Sequence, residues 1–196
     1  GGLRAELLSR LSVLQIEVGI LPGRGKLILT GKLGATMRES AQAALSCVRC
    51  RAVLLGLDPQ FHRGVDIHVH IPEGEIPKDG PSAGAAIGLA MVSALTRVPT
   101  RASVALTGEM TLRGQILPVG GLAEKSLAAL RAGVRTMLVP AGNDRHIAEL
   151  PEDARAGLEF VRVSTFDEVL RHGLVPRGLA RQRQVRRSES ATVEAA

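Results

Sequence analysis

The sequence is poor in the residues that recognise nucleic acids and cross membranes. Its 196 residues include no tryptophan, no tyrosine and three phenylalanines, so almost no aromatic ring is present to stack on bases. No apolar run approaches the ~18–20 residues that span a bilayer, and the first twelve residues lack the apolar core of a signal peptide. We therefore expect a cytoplasmic protein with no membrane partner.

The positive charge of the chain is concentrated at one end. The net charge is +6, but residues 176–196 alone contain five arginines and two glutamates. A basic tail without aromatic residues is typical of a solvated, disordered end, and we predict no nucleic-acid partner for the folded part. We divide the chain into a domain over residues 1–175 and an arginine-rich disordered tail over residues 176–196. Because the sequence begins with glycine, we expect it to be a piece of a longer protein.

Cysteine is also scarce, which limits metal and redox chemistry. The two cysteines, Cys47 and Cys50, fall inside a helical pattern, and no second pair is present to complete a zinc site. We predict two reduced thiols, no metal site and no cofactor site.

Hydrophobic periodicity predicts mixed short strands and helices. With 45% hydrophobic residues and short connections, this pattern indicates a single compact α/β (α+β) domain. We predict a hairpin of residues 12–21 and 26–34, strands at 64–72, 103–109, 114–121, 135–140 and 158–163, and helices at 36–55, 82–96, 122–132, 144–150 and 166–171.

One serine lies where a loop turns into a helix. In "PKDGPSAGAAIG", residues 77–88, Ser82 follows a turn and precedes small residues that leave room for a polypeptide to approach. Backbone N–H groups at a helix start have no intrahelical acceptor, so they can hold the oxyanion of an acyl-transfer reaction. Serine is also a preferred N-cap, and the local sequence leaves nucleophile and cap as alternatives.

A nucleophilic serine needs a base, and the sequence offers two kinds. His68 and His70 share one face of a predicted strand and could serve a triad. Lys125 lies on a predicted helix whose positions 121, 122, 128 and 129 are small or apolar. A lysine on such a face either reaches water or is desolvated, and only the desolvated amine can act as a base near neutral pH. A surface position is the commoner one for lysine.

The serine and lysine segments together resemble a known family. "PKDGPSAG" followed by "TGEMTLRGQILPVGGLAEK" is similar to the proteolytic domain of Lon proteases, in their A-type, bacterial and mitochondrial branch. The resemblance runs from about residue 14 to residue 174. It implies the Lon proteolytic-domain fold and a serine endopeptidase in which Ser82 is the nucleophile and Lys125 the general base.

The resemblance also implies supporting residues. Thr107 matches the position whose hydroxyl orients the lysine, and Glu109 and Arg113 match residues near the site and the subunit boundary. His68 and His70 match a histidine pair beside the site, with a supporting role. The backbone N–H groups of Ser82 and Ala83 are expected to form the oxyanion hole.

Asp79 matches an acidic residue of the serine loop. We hypothesise that it pairs with Lys125 in a resting state, because a nearby carboxylate would keep the amine charged and useless as a base. Asp79→Asn should then raise basal hydrolysis of a reporter peptide. An unchanged or lost rate would count against the pairing.

Members of this family act as hexameric rings with an ATPase module upstream in the same chain, on unfolded or damaged proteins. The sequence has no GxxxxGK[ST] phosphate loop, so ATP and magnesium are expected to act only on the missing module. The alternative is a non-catalytic domain of the same fold that serves ring assembly, but the presence of both Ser82 and Lys125 favours the enzyme.

Overall fold

A seven-stranded mixed sheet lies at the centre of the protein. The computed structural model describes the backbone of residues 3–8 and all of residues 13–72 and 78–176. The strands are β1 (Leu3–Leu8), β2 (Val13–Pro22), β3 (Leu27–Thr30), β4 (Val65–His70), β5 (Val104–Leu106), β6 (Glu109–Met110), β7 (Ile116–Leu117), β8 (Thr136–Pro140) and β9 (Glu159–Val163). Their order in the sheet is β3-β4-β2-β1-β5-β8-β9, and β6 and β7 form a separate hairpin.

Helices cover both faces of this sheet. Along β5, Val104 and Leu106 belong to one hydrophobic cluster and Ala105 to another, as expected when successive strand side chains point to opposite faces. The helices are α1 (Ala35–Cys50), α2 (Gly84–Thr96), α3 (Leu122–Arg131), α4 (Asp144–Ala148), α5 (Glu152–Gly157) and α6 (Phe166–Gly173). The cluster with Val104 and Leu106 includes residues of α1, α2 and α6, and the cluster with Ala105 includes residues of α3, α4 and α5. The predicted α/β class and the single compact domain are confirmed.

The predicted hairpin of the first two strand segments is wrong. β2 and β3 do not pair, because β4 lies between them, antiparallel to β2 and parallel to β3. The turn between β2 and β3 is wrapped around a side chain of β4: Asp66 Oδ1 accepts hydrogen bonds from the backbone N–H groups of Arg24 and Lys26, at 2.8 Å each. The Lys26 N–H is the largest cause that lowers the pKa of Asp66 below its usual value.

The predicted first helix is too long at its C-terminal end. It ends at Cys50 rather than near residue 55, and the N–H groups of Arg51 and Ala52 bond to carbonyls three residues back, which is the tighter turn common at helix ends. Val53 and Leu54 are 72% and 82% exposed. Their apolar side chains fit the helical spacing of the sequence, but they are exposed and do not hold a further helical turn against the core.

The other differences are a shifted helix start and two elements that were not predicted. The predicted helix from Ser82 begins two residues later, after a 3₁₀ turn at Pro81–Ala83. α5 was not predicted, and neither was β1, which pairs with β2 and β5. The predicted disordered tail lies outside the described residues, apart from Pro176. In the ranges given above, no helix is both long and apolar enough to cross a bilayer.

Candidate active site

Ser82 lies in the 3₁₀ turn that leads into α2. Gly80, just before this turn, has a φ of 133°, a left-handed conformation that favours glycine. α2 begins after Ala83, and no side chain makes a capping hydrogen bond at the start of the 3₁₀ turn or of α2. Ser82 therefore does not cap the helix, and the hydroxyl of this half-buried residue is left for another role.

The residues before Ser82 are attached to the start of α1. Asp79 Oδ1 accepts hydrogen bonds from Met37 N and Gly80 N, at 2.9 Å each. Gly34 N donates to the carbonyl of Lys78 at 2.7 Å. A carboxylate at a helix N-terminus is held by free N–H groups and by the helix dipole. The Met37 N–H is the largest cause that lowers the pKa of Asp79. Pairing of Asp79 with Lys125 in a resting state stays a prediction.

Lys125 is buried in the first turns of α3. Its side chain is 4% exposed, so the surface alternative is excluded. Nζ donates a hydrogen bond to Thr107 Oγ1 at 3.0 Å, and Thr107 is fully buried. Burial disfavours the ammonium form of a lysine. The amine is thus held in a fixed position next to the Thr107 hydroxyl.

Two neighbouring residues connect Ser82 to Lys125. Thr107 binds the lysine amine through its hydroxyl, and the next residue, Gly108, donates its N–H to the carbonyl of Ser82 at 3.2 Å. The carbonyl of Gly108 in turn accepts from Ala85 N at 3.3 Å. The segment after β5 therefore contacts both residues of the predicted dyad. Gly108 was not predicted as a site residue, and its only signal was its place in "LTGE".

His68 and His70 bind a different partner. Both lie on β4, on the opposite side from the buried Ile67 and Val69. Thr30 Oγ1 lies 2.8 Å from His68 Nε2 and 2.7 Å from His70 Nδ1. Among the described residues, no hydrogen bond joins either imidazole to Ser82, and the supporting role of the two histidines stays a prediction.

The remaining predicted residues surround the serine turn and the β6–β7 hairpin. Ala83 is buried and is the N-cap residue of α2, so its N–H lies at the start of that helix. Glu109 is half-buried at the start of β6, and Arg113 is exposed in the turn that follows. The carbonyl of Arg113 accepts from Arg51 Nη2 at 3.1 Å. The roles of these three residues stay predictions.

A serine at a helix start, connected through a single segment to a buried lysine, is typical of hydrolases that pair serine with lysine. Comparison with known proteins agrees. The profile of the Lon protease (S16) C-terminal proteolytic domain matches residues 10–176. The chain belongs to this family and is therefore a proteolytic domain of the serine-type endopeptidases.

Similar curated proteins come from several bacteria. The chain is 56% identical to Lon protease 1 of Bacillus subtilis (strain 168) over 162 residues, which cover 83% of the chain and 21% of that protein. It is 56% identical to Lon protease 1 of Myxococcus xanthus and 53% identical to Lon protease of Azospirillum brasilense, in each case over 83% of the chain and 20% of the relative. The chain thus spans about a fifth of the length of these relatives.

Proposed function

We propose that the chain hydrolyses peptide bonds by acyl transfer, with Ser82 as nucleophile and Lys125 as general base. The observation that carries this proposal is the pair of contacts made by adjacent residues: Thr107 Oγ1 with the lysine amine, and Gly108 N–H with the serine carbonyl. A base works only within hydrogen-bond reach of the proton that it removes. Such reach requires that the two residues be held close together, and the adjacent Thr107 and Gly108 contact one of them each.

The reaction follows from the chemistry of these groups. The neutral amine of Lys125 takes the Ser82 proton, and the alkoxide oxygen attacks the carbonyl carbon of the peptide. The N–H groups of Ser82 and Ala83 stabilise the tetrahedral oxyanion. The protonated lysine then gives its proton to the leaving amine, which frees one product and leaves an ester on Ser82. Water, activated by the same amine, hydrolyses the ester.

The lysine must be uncharged at the working pH for this relay. A free lysine has a pKa near 10.4 and is protonated at neutral pH. Burial at 4% exposure acts against the charged form, and the Thr107 hydroxyl can serve either form because it both donates and accepts. The relay therefore requires that the effect of burial outweigh the charged groups around the amine.

The activity of the longer protein is part of the same proposal. We infer a cytoplasmic, bacterial, ATP-dependent protease of protein quality control that works as a homohexamer on unfolded polypeptides, because the relatives that match this domain are Lon proteases about five times its length. ATP and magnesium would act on the ATPase module, and the chemistry proposed for this domain uses no metal or cofactor. A purely assembling role is less well supported, because both Ser82 and the buried Lys125 are present.

The test is hydrolysis of an unstructured reporter peptide by the wild type, Ser82→Ala and Ser93→Ala. Ser93 is the control because it is a buried serine near the other end of α2, where Oγ donates to the carbonyl of Val98 at 2.6 Å. We expect Ser82→Ala to lose activity by several orders of magnitude and Ser93→Ala to keep it. Equal rates in the wild type and Ser82→Ala would remove the proposal.

A further inference from the structure

The position of Lys125 depends on where α3 starts. The N-cap of α3 is Gly121, with a φ of 68° and no side-chain cap, and the N–H of Lys125 donates to the Gly121 carbonyl at 3.1 Å. Gly120 precedes it. Two glycines give the backbone more freedom than any other pair of residues. The segment that leads into the helix therefore needs an anchor from elsewhere in the fold.

That anchor is the side chain of Asn143. Asn143 is fully buried in the 3₁₀ turn that follows β8. Its Oδ1 accepts from Val119 N at 3.0 Å, and its Nδ2 donates to the Val119 carbonyl at 2.8 Å and contacts His146 Nδ1 at 3.1 Å. The amide thus binds both backbone polar groups of one residue, as a neighbouring antiparallel strand would. These contacts fix the Val119 backbone two residues before the N-cap.

β8, the strand that leads into the Asn143 turn, fixes the partner of the lysine amine. The Thr107 N–H donates to the Leu138 carbonyl at 3.2 Å, and Leu138 of β8 pairs with Leu106 of β5. β8 therefore holds Thr107 directly, and it holds the start of α3 through Asn143. The distance of 3.0 Å between the Lys125 amine and the Thr107 hydroxyl is set by one attachment to β8 and one to the turn that follows it.

We propose that Asn143 is a positioning residue for the general base. It clamps the backbone of Val119 so that the first turns of α3 place Lys125 in its buried position against Thr107. This inference rests on the proposed function. Nothing in it requires Asn143 to contact the substrate.

The test replaces Asn143 with leucine, which has a similar shape but no polar atoms. We expect kcat for a reporter peptide to fall by about tenfold to a hundredfold, the effect of misplacing a catalytic group by about 1 Å. KM should change by less than about threefold, because removal of a group that acts only in the transition state leaves substrate binding unaffected. The Ser93→Ala variant, which also loses one buried hydrogen bond, is the matched control.

The pH profile separates positioning from loss of stability. The rate rises with pH as the base loses its proton, so the acid limb of kcat reports the pKa of the base in the complex. If Lys125 leaves its buried position and its contact with Thr107, the surroundings that set its protonation change, and the limb of Asn143→Leu moves along the pH axis. Partial unfolding would lower the rate equally at all pH values. An unmoved limb overturns the proposal, whatever the fall in kcat.

A milder variant and a parallel assay complete the design. Asn143→Ser has a shorter polar side chain whose hydroxyl can donate or accept a hydrogen bond. We expect its limb to lie between those of the wild type and Asn143→Leu, and a limb at the wild-type position counts against the clamp. Ser82→Ala is measured in parallel. If Ser82→Ala is active, the proposed function fails; if it is inactive and both limbs are unmoved, only the role of Asn143 fails.

Discussion

Replacing Lys125 with methionine is expected to lower kcat for a reporter peptide by about 10²–10⁴-fold, the contribution of a positioned general base. Methionine is unbranched and apolar, and it fills the same narrow space in α3 without a basic group. The effect should be in kcat rather than KM, because the amine acts on the serine proton and not on substrate binding. Steady-state kinetics on purified, folded protein measure it.

Arginine at the same position distinguishes a base from a fixed positive charge. A guanidinium stays protonated at every accessible pH and has no acceptor atom. If the lysine acted only through its charge, Lys125→Arg would keep much of the rate. If the lysine is the base, Lys125→Arg should be as inactive as Lys125→Met. Lys26→Met, at an exposed lysine, is the control and should match the wild type. Activity in Lys125→Arg near the wild-type level would contradict the relay.

The sequence allowed the dyad to be predicted because each member carries a local signal. Ser82 follows a turn at a helix start, and Lys125 has small or apolar neighbours on its helix face. These signals alone allowed Ser82 to be a helix cap and Lys125 to be a surface residue. Only the resemblance of two separate segments to a known family favoured the dyad. The burial of Lys125 and its hydrogen bond to Thr107 could be seen only in the structure.

What could not be predicted depends on contacts between distant residues. The hairpin rule considers two strands and their turn, whereas the turn between β2 and β3 is bound by Asp66, about 40 residues away. Likewise Asn143 binds Val119, 24 residues away, and nothing near "VPAGN" indicates that partner. Strand order and long-range contacts of this kind depend on which surfaces pack together. The hydrophobic periodicity of the sequence carries no information about that packing.

Gly31 lies where two strands and the serine loop meet. It follows β3 with a φ of 110°, and a Cβ built on it would overlap the carbonyl oxygen of Ile71, the residue after β4. Ile71 N–H donates to the Thr30 carbonyl at 3.2 Å, and Lys78 Nζ donates to the carbonyl of Gly31 itself at 3.2 Å. The obstacle to a side chain is backbone, which cannot rotate away as a side chain can.

Gly31→Ala is therefore expected to destabilise the protein by about 3–5 kcal/mol, from a left-handed φ and a backbone overlap together. For a domain of this size that corresponds to a fall in Tm of roughly 6–20 °C. Gly19→Ala is the matched control, because Gly19 in β2 has no atom within 4 Å of its built Cβ and no positive φ; its Tm should stay within about 2 °C of the wild type. Calorimetry and urea unfolding measure both variants. A Gly31→Ala protein as stable as Gly19→Ala would mean that the ends of β3 and β4 can separate without cost, and the attachment of the serine loop to them would then not be rigid.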